Sequence, residues 1–103
     1  MYKFLPILLF AYSLGITIDE IYDNSYALII GINKYHKVQS LHYAVKDAES
    51  IQDILKNTYD FPAGNITLLI NEDATKQNIL QAFSDITTKA EEKDRVLIYF
   101  AGH

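Results

Sequence analysis

The sequence predicts an α/β fold with a mostly parallel sheet. Three continuous apolar runs alternate along the chain with two segments in which apolar residues recur at helical spacing. Runs without polar alternation are typical of strands buried on both faces of a parallel sheet. Strands that alternate with amphipathic helices of this length indicate βαβ units with right-handed crossovers. The 103 residues allow one domain at most.

The first part of the pattern is a strand, a helix and a second strand. Residues 26–32 form the first apolar run and are predicted to be a core strand. Ser40 is a candidate N-cap for a helix over residues 41–57. A turn marked by Pro62 and Gly64 then leads to a second strand, Ile66–Ile70. The predicted helix turns one apolar stripe towards the sheet, made of Leu41, Ala44, Val45, Ala48, Ile51 and Leu55.

The second part of the pattern is a helix and a third strand. Thr75 is a good N-cap for a helix over residues 76–90. A charged loop at residues 91–94 precedes the last strand, residues 96–101. The predicted buried face of the helix comprises Ile79, Leu80, Phe83, Ile86 and Ala90.

The last strand points to a candidate site. Ligand crevices of open α/β sheets lie just outside the carboxyl ends of the strands, which is where Gly102 and His103 fall. A histidine at such a position can serve as acid or base near neutral pH. An exposed terminal histidine without a role is the alternative.

The amino-terminal residues have the pattern of a secretory signal. Lys3 supplies a short positive region, residues 4–14 form a compact apolar stretch, and Ser13 with Ala11 or Gly15 fits a cleavage site. We therefore expect a signal peptide at 1–15, a lead-in segment at 16–25 and a secreted or periplasmic domain at 26–103. An uncleaved membrane anchor, or a buried amino-terminal strand or helix, is the alternative, and contact with a membrane is expected only through such an anchor.

Composition excludes several classes of function. The net charge is −4 and the nine Lys and Arg residues are scattered, so no nucleic-acid partner is expected. The chain contains no cysteine, which removes disulfides, thiolate metal sites and a cysteine nucleophile from these residues. Phosphate-binding glycine loops are missing. His36, His42 and Asp47 are not spaced to share a helical face, so we expect no metal site.

Asp47 is the second candidate site residue. The predicted helix places it in the second turn, on the flank shared with Ile51 and Ile54. A carboxylate there can be a solvated acid that interacts with the positive end of the helix. It can also receive a cationic substrate group. The pattern of residues leaves both interpretations open.

Three blocks of sequence resemble the front half of the caspase-like cysteine peptidases, especially the metacaspase branch. They are YALIIGIN from Tyr26, LHYAVKDA from Leu41 and YFAGH ending at His103. The resemblance implies a three-layer αβα fold of which the first three strands and two helices are present. It also implies that His103 is the catalytic histidine and that Asp47 lines a pocket for Arg or Lys before the cleaved bond of a polypeptide substrate. Members of the family usually have Asn before that aspartate, where this chain has Lys46, a cation that would partly neutralise Asp47.

The mechanism implied by the resemblance needs residues that this sequence does not contain. A cysteine one strand later attacks the peptide carbonyl, and a glycine directly after the histidine contributes to the oxyanion hole. We therefore expect an inactive amino-terminal fragment of a cysteine endopeptidase, without a cofactor of its own and with calcium as a candidate cofactor of the full-length enzyme. Residues 16–103 alone are expected to be poorly soluble or loosely folded, because the last strand lacks one neighbour.

The sequence is compatible with two alternatives. One is a non-catalytic caspase-like module that binds partners, and the other is a small α/β binding domain with no peptidase ancestry. A cysteine in an Asp-x-Cys-type turn further along the reading frame distinguishes a peptidase from the non-catalytic module. Labelling of a longer chain by a peptide aldehyde would argue against the unrelated binding domain.

Overall fold

The computed structural model describes residues 22–33 and 43–102. Three strands alternate with two helices, as the sequence pattern predicts. In chain order the elements are β1 (Ser25–Gly31), α1 (Ala44–Asn57), β2 (Ile66–Ile70), α2 (Lys76–Lys89) and β3 (Arg95–Ala101). Single 3₁₀ turns, Ala63–Asn65 and Asn71–Asp73, flank β2. The predicted α/β fold is confirmed.

The sheet is parallel, with the strand order β2-β1-β3. In the register Ala27 of β1 lies opposite Ile66 of β2 and Leu97 of β3. Because β1 is central, Ala27, Leu28 and Ile29 are completely buried. The prediction of a strand buried on both faces is therefore correct for β1.

The same prediction is wrong for β3. Val96 is buried, but Ile98 is 41% exposed and Phe100 is 49% exposed. These residues alternate on the face of the sheet that carries α2, and α2 packs on β1 and β2. That half of the outer strand therefore has no helix over it in the part of the chain that the structure describes.

The helices cover opposite faces of the sheet and produce three layers. Ala48 and Leu55 of α1 pack with Ala27 and Ile29 of β1. Ala82 and Ile86 of α2 form a second cluster that includes Leu28 and Ile30 of β1. Successive residues of β1 thus supply the two halves of the core, as strand geometry requires.

The predicted helix starts can be compared with the structure. Thr75 is the N-cap of α2, and its Oγ1 accepts a hydrogen bond of 3.1 Å from the Asn78 N–H, so that prediction is confirmed. The first helix begins at Ala44 after the N-cap residue Tyr43. Ser40 and Leu41 lie outside the described residues.

The predicted buried face of α2 is partly wrong. Ile86 is buried and Ile79 packs against the core, but Leu80 is 56% exposed and Phe83 is 36% exposed. The buried stripe is centred on Ala82 and Ile86, and one helix lying on a sheet buries only a stripe of its surface. Leu80 and Phe83 flank that stripe.

Arg95 is buried at the amino-terminal end of the sheet. Its Nε donates a hydrogen bond of 2.5 Å to Ser25 Oγ, and its Nη2 donates one of 2.6 Å to the Tyr59 carbonyl oxygen. The guanidinium also lies over the Phe61 ring at 4.1 Å from its centre. Arg95 therefore joins the start of β1, the start of β3 and the loop after α1.

Within residues 22–33 and 43–102, no helix has the length and apolar character needed to cross a membrane. The predicted signal peptide at 1–15 and most of the lead-in segment at 16–25 lie outside the described residues.

Candidate functional site

The three parallel strands end at one edge of the sheet, which we call the carboxyl edge. Gly31 at the end of β1 lies opposite Ile70 of β2 and Ala101 of β3. The Ile32 N–H donates a hydrogen bond of 3.0 Å to the Ala101 carbonyl oxygen and extends the pairing with β3. The residues that follow the strands, Asn33 and Gly102 among them, are thereby gathered at this edge.

Gly102 is exposed directly after β3. His103 lies outside the described residues, so its predicted role is not tested by the structure. The structure does give the position of the preceding residue, Gly102. Gly102 follows Ala101, the last residue of β3, which pairs with Gly31. A catalytic role for His103 stays a prediction.

The first turn of α1 lies directly against the end of β1. A Cβ atom on Gly31 would be 2.7 Å from Ala48 Cβ, 2.9 Å from the Ala44 carbonyl oxygen and 3.2 Å from Val45 Cα. Ala44 and Ala48 are both buried. Glycine on the strand and alanines on the helix thus permit a close approach that larger residues would prevent.

Asn33 connects the end of β1 to the first turn of α1. Its Oδ1 accepts a hydrogen bond of 3.1 Å from the Val45 N–H. That N–H is one of the donors that a helix leaves without an intrahelical acceptor, so Asn33 acts as a helix cap from a distant position in the chain.

Asn71 holds Asn33 from the other side. Asn71 Oδ1 accepts a hydrogen bond of 2.9 Å from the Asn33 backbone N–H. The backbone of Asn71 is left-handed, with φ of 48°, a conformation in which asparagine is enriched over other non-glycine residues. The ends of β1 and β2 and the start of α1 are therefore linked through two asparagine side chains.

Asp47 lies in the first turn of α1, not in the second turn as the sequence pattern predicted. The difference arises because the described helix begins at Ala44. Its side chain is exposed, and its backbone N–H donates a hydrogen bond of 2.9 Å to the Tyr43 carbonyl oxygen. Ala48, the small residue after Asp47, is the residue that packs against Gly31.

Two exposed side chains of opposite charge, Lys46 and Asp47, lie next to each other at the start of α1. Asp47 is an exposed carboxylate in the first turn of α1, at the positive end of the helix dipole. Lys46 is also exposed and adds a positive charge next to it. Among the residues that the structure describes, no group of three or more His, Cys, Asp or Glu side chains could hold a metal ion. Substrate contact by Asp47 stays a prediction.

Among the described residues, Tyr26 has a clearly raised pKa, and it lies near the end of β1 opposite to the carboxyl edge. Burial raises its pKa above the usual 10.0, and the charges of Asp94 and Glu91 raise the pKa further. Its place near the start of β1 separates it from the carboxyl edge, so it bears on stability and not on the candidate site.

The sequence did not predict the hydrogen bonds of Asn33 and Asn71, or the close approach of α1 that requires glycine at position 31. The sequence pattern placed Gly31 within the first apolar run and gave it no further role. Asn33 and Asn71 each follow a strand, and asparagine is common in turns because it accepts local hydrogen bonds and left-handed backbone. That signal indicates a turn, but it does not reveal which distant N–H the side chain accepts.

Comparison with known proteins finds similarity to the caspase domain and to metacaspases. A family model described as the caspase domain matches residues 24–103. Metacaspase-1 of Eremothecium gossypii is 28% identical over 86 residues, which cover 78% of this chain and 19% of that protein.

Two relatives from Arabidopsis thaliana are more similar in sequence. Metacaspase-7 is 32% identical and metacaspase-6 is 33% identical, each over 82 residues that cover 75% of this chain. The matched regions are 20% and 22% of those proteins. The chain thus spans about a fifth of the length of the curated relatives that it matches.

Proposed function

We propose that this chain, which belongs to the caspase-domain family of cysteine-type peptidases, supplies the histidine of a Cys-His endopeptidase. The observation that carries the proposal is the end of β3. Ala101 closes a parallel strand at the carboxyl edge and Gly102 follows it there. The next residue is His103, within the range matched by the caspase-domain model.

In the proposed reaction His103 moves protons. Its imidazole takes the proton from a cysteine thiol, and the thiolate attacks the carbonyl carbon of the peptide bond. When the tetrahedral intermediate collapses, the imidazolium gives the proton to the leaving amine. Water then hydrolyses the acyl-enzyme with the imidazole as base. The 103 residues contain no cysteine, so the thiol is assigned to a part of the protein outside them.

Asp47 is proposed to select the residue before the cleaved bond. It is an exposed carboxylate in the first turn of α1, and that turn packs against Gly31 at the carboxyl edge. A carboxylate in such a position pairs with the guanidinium of Arg or the ammonium of Lys. The proposed substrates are therefore polypeptides with a basic residue at this position.

Export and calcium dependence belong to the same proposal as properties of the whole protein. The pattern of residues 1–15 supports export, which amino-terminal sequencing of the mature secreted protein would test. The resemblance to metacaspases supports a calcium requirement, and activity measured with and without a calcium chelator would test it.

The central experiment uses the product of the whole reading frame from Met1 to its stop codon. Fluorogenic peptides with Arg, Lys or Asp before the scissile bond are compared as substrates. We expect cleavage after Arg and Lys, because Asp47 would attract a cationic side chain and repel an acidic one. An active-site label that reacts with thiolates should modify one cysteine.

Two substitutions separate catalysis from binding. His103→Ala should lower kcat at least about 10²-fold, the contribution expected of a general acid–base group. Asp47→Asn should raise KM for the Arg and Lys peptides. His36→Ala is the matched control, because the sequence places His36 in a loop without a role.

The outcomes decide between the functions. A reading frame without a cysteine would exclude the peptidase and favour a caspase-like module that binds partners. Full activity of His103→Ala would contradict the assignment of the histidine, and unchanged KM values of Asp47→Asn would contradict the pocket.

A further inference from the structure

We propose that Asn33 is a positioning residue of the active site, which fixes the first turn of α1 and its Asp47 against the carboxyl edge of the sheet. The inference rests on the proposed function, since it gives Asn33 a part in binding the basic residue of the substrate. Asn33 acts through Asp47 and has no contact with the substrate in this proposal.

The first step is the hydrogen bond between Asn33 Oδ1 and the Val45 N–H, 3.1 Å long. Helices are normally capped by Ser, Thr, Asp or Asn at the N-cap position itself. The N-cap residue of α1 is Tyr43, and tyrosine is not among these residue types. The capping oxygen comes instead from the residue two places after β1, so the cap ties the helix to the sheet.

The second step is the packing beneath this hydrogen bond. Ala48 is completely buried, and Gly31 lies so close to α1 that even a methyl group there would overlap the helix. This contact sets the distance between helix and strand. The Asn33 hydrogen bond adds a directional restraint at the turn that carries Asp47, two residues after Val45.

The third step is the support of Asn33 itself. Its backbone N–H donates to Asn71 Oδ1 at 2.9 Å, so the residue is fixed to the end of β2. Asn71 in turn follows β2 directly, in a left-handed conformation. The restraint on α1 is therefore anchored to two strands of the sheet.

Loss of the Asn33 oxygen should release the Val45 N–H and loosen the turn. A substrate with a basic residue would then have to order the turn that carries Asp47 when it binds. This cost weakens binding but leaves the proton transfers unchanged. The inference thus predicts an effect on KM for basic substrates and little effect on kcat. A role confined to stability predicts no change in KM.

The experiment measures peptidase kinetics of the whole gene product with Arg peptides. Asn33→Ala should raise KM about two- to thirtyfold, the range of equilibrium constants that loss of a helix cap produces. Its kcat should stay near that of the wild type. Asn33→Asp retains an oxygen acceptor at the same position and should keep KM near the wild-type value. Hydrogen exchange of the Val45 amide should accelerate in Asn33→Ala but not in Asn33→Asp.

Thr75→Ala is the matched control, since it removes the cap of α2, which lies on the other face of the sheet. It should destabilise the protein without changing KM. A KM for Asn33→Ala equal to that of the wild type, or a KM increase of the same size in Thr75→Ala, would overturn the inference. Failure of Asn33→Asp to restore KM would do the same. An inactive wild-type protein would instead refute the proposed function, so the two failures are distinguishable.

Discussion

Gly31→Ala tests the close contact between β1 and α1. The added Cβ would lie 2.7 Å from Ala48 Cβ and 2.9 Å from the Ala44 carbonyl oxygen, whereas ordinary van der Waals contact begins at 3.4 Å. Both neighbours belong to a packed helix and cannot rotate away as a long side chain would. The helix must therefore shift from the strand.

The expected cost is about 1–3 kcal/mol of unfolding free energy, as found for extra methyl groups forced into packed cores. Urea unfolding of the whole gene product, followed by circular dichroism, measures this loss. Gly64→Ala is the matched control, because a Cβ on Gly64 meets nothing within 4 Å. That variant should be neutral or more stable by about 0.4–1 kcal/mol, since alanine reduces the entropy of the unfolded chain.

A double substitution makes the test specific. Ala48→Gly removes the nearest clashing atom, so Gly31→Ala combined with Ala48→Gly should cost less than the two single changes added together. Coupling between residues in contact is typically about 0.5–3 kcal/mol. Additive costs, or a Gly31→Ala protein as stable as the wild type, would show that the helix does not lie as close to the strand as described.

Two further predictions concern the other end of the sheet. Arg95→Lys should lower the free energy of unfolding by at least about 1.5 kcal/mol, the contribution of a hydrogen bond to a charged group. A lysine ammonium cannot reproduce the contact of the guanidinium with the Tyr59 carbonyl oxygen. An unchanged urea midpoint would contradict this prediction. Burial, with the charges of Asp94 and Glu91, raises the pKa of Tyr26 above 10.0 in the folded state, so its contribution to stability is complete below pH 10 and is lost as pH rises towards the folded pKa. Tyr26→Phe should therefore lose less stability than the wild type between neutral pH and alkaline pH, and parallel stability curves of the two proteins would refute this.

Much of the fold could be predicted from the sequence. Strand β2 has the predicted bounds, and Thr75 caps α2 as expected. These features are local, because apolar runs, helical spacing and capping residues act over a few positions. The predicted burial of Leu80 and Phe83 was wrong. Spacing shows which residues share a helical face, but it does not show how much of that face one sheet covers.

The candidate site was predictable only in part. The place of Gly102 at the carboxyl edge followed from strand direction, which is a general property of parallel sheets. The links from Asn33 to Val45 and from Asn71 to Asn33 join residues distant in sequence, and a turn-forming asparagine does not indicate its partner. The turn that holds Asp47 was misplaced because the N-cap of α1 is Tyr43, a residue type without a capping signal.

The central position of β1 has a consequence for the order of folding during synthesis. Its second neighbour, β3, is encoded far downstream, since Ser25 and the Arg95 that binds it are separated by 70 residues. The ribosome therefore releases β1, α1 and β2 before all of β3 has left the exit tunnel, and the edge of β1 that pairs with β3 stays unpaired during that time. Such long-range parallel pairing is slow to form. We expect the nascent chain to depend on chaperones until Ala101 has left the exit tunnel.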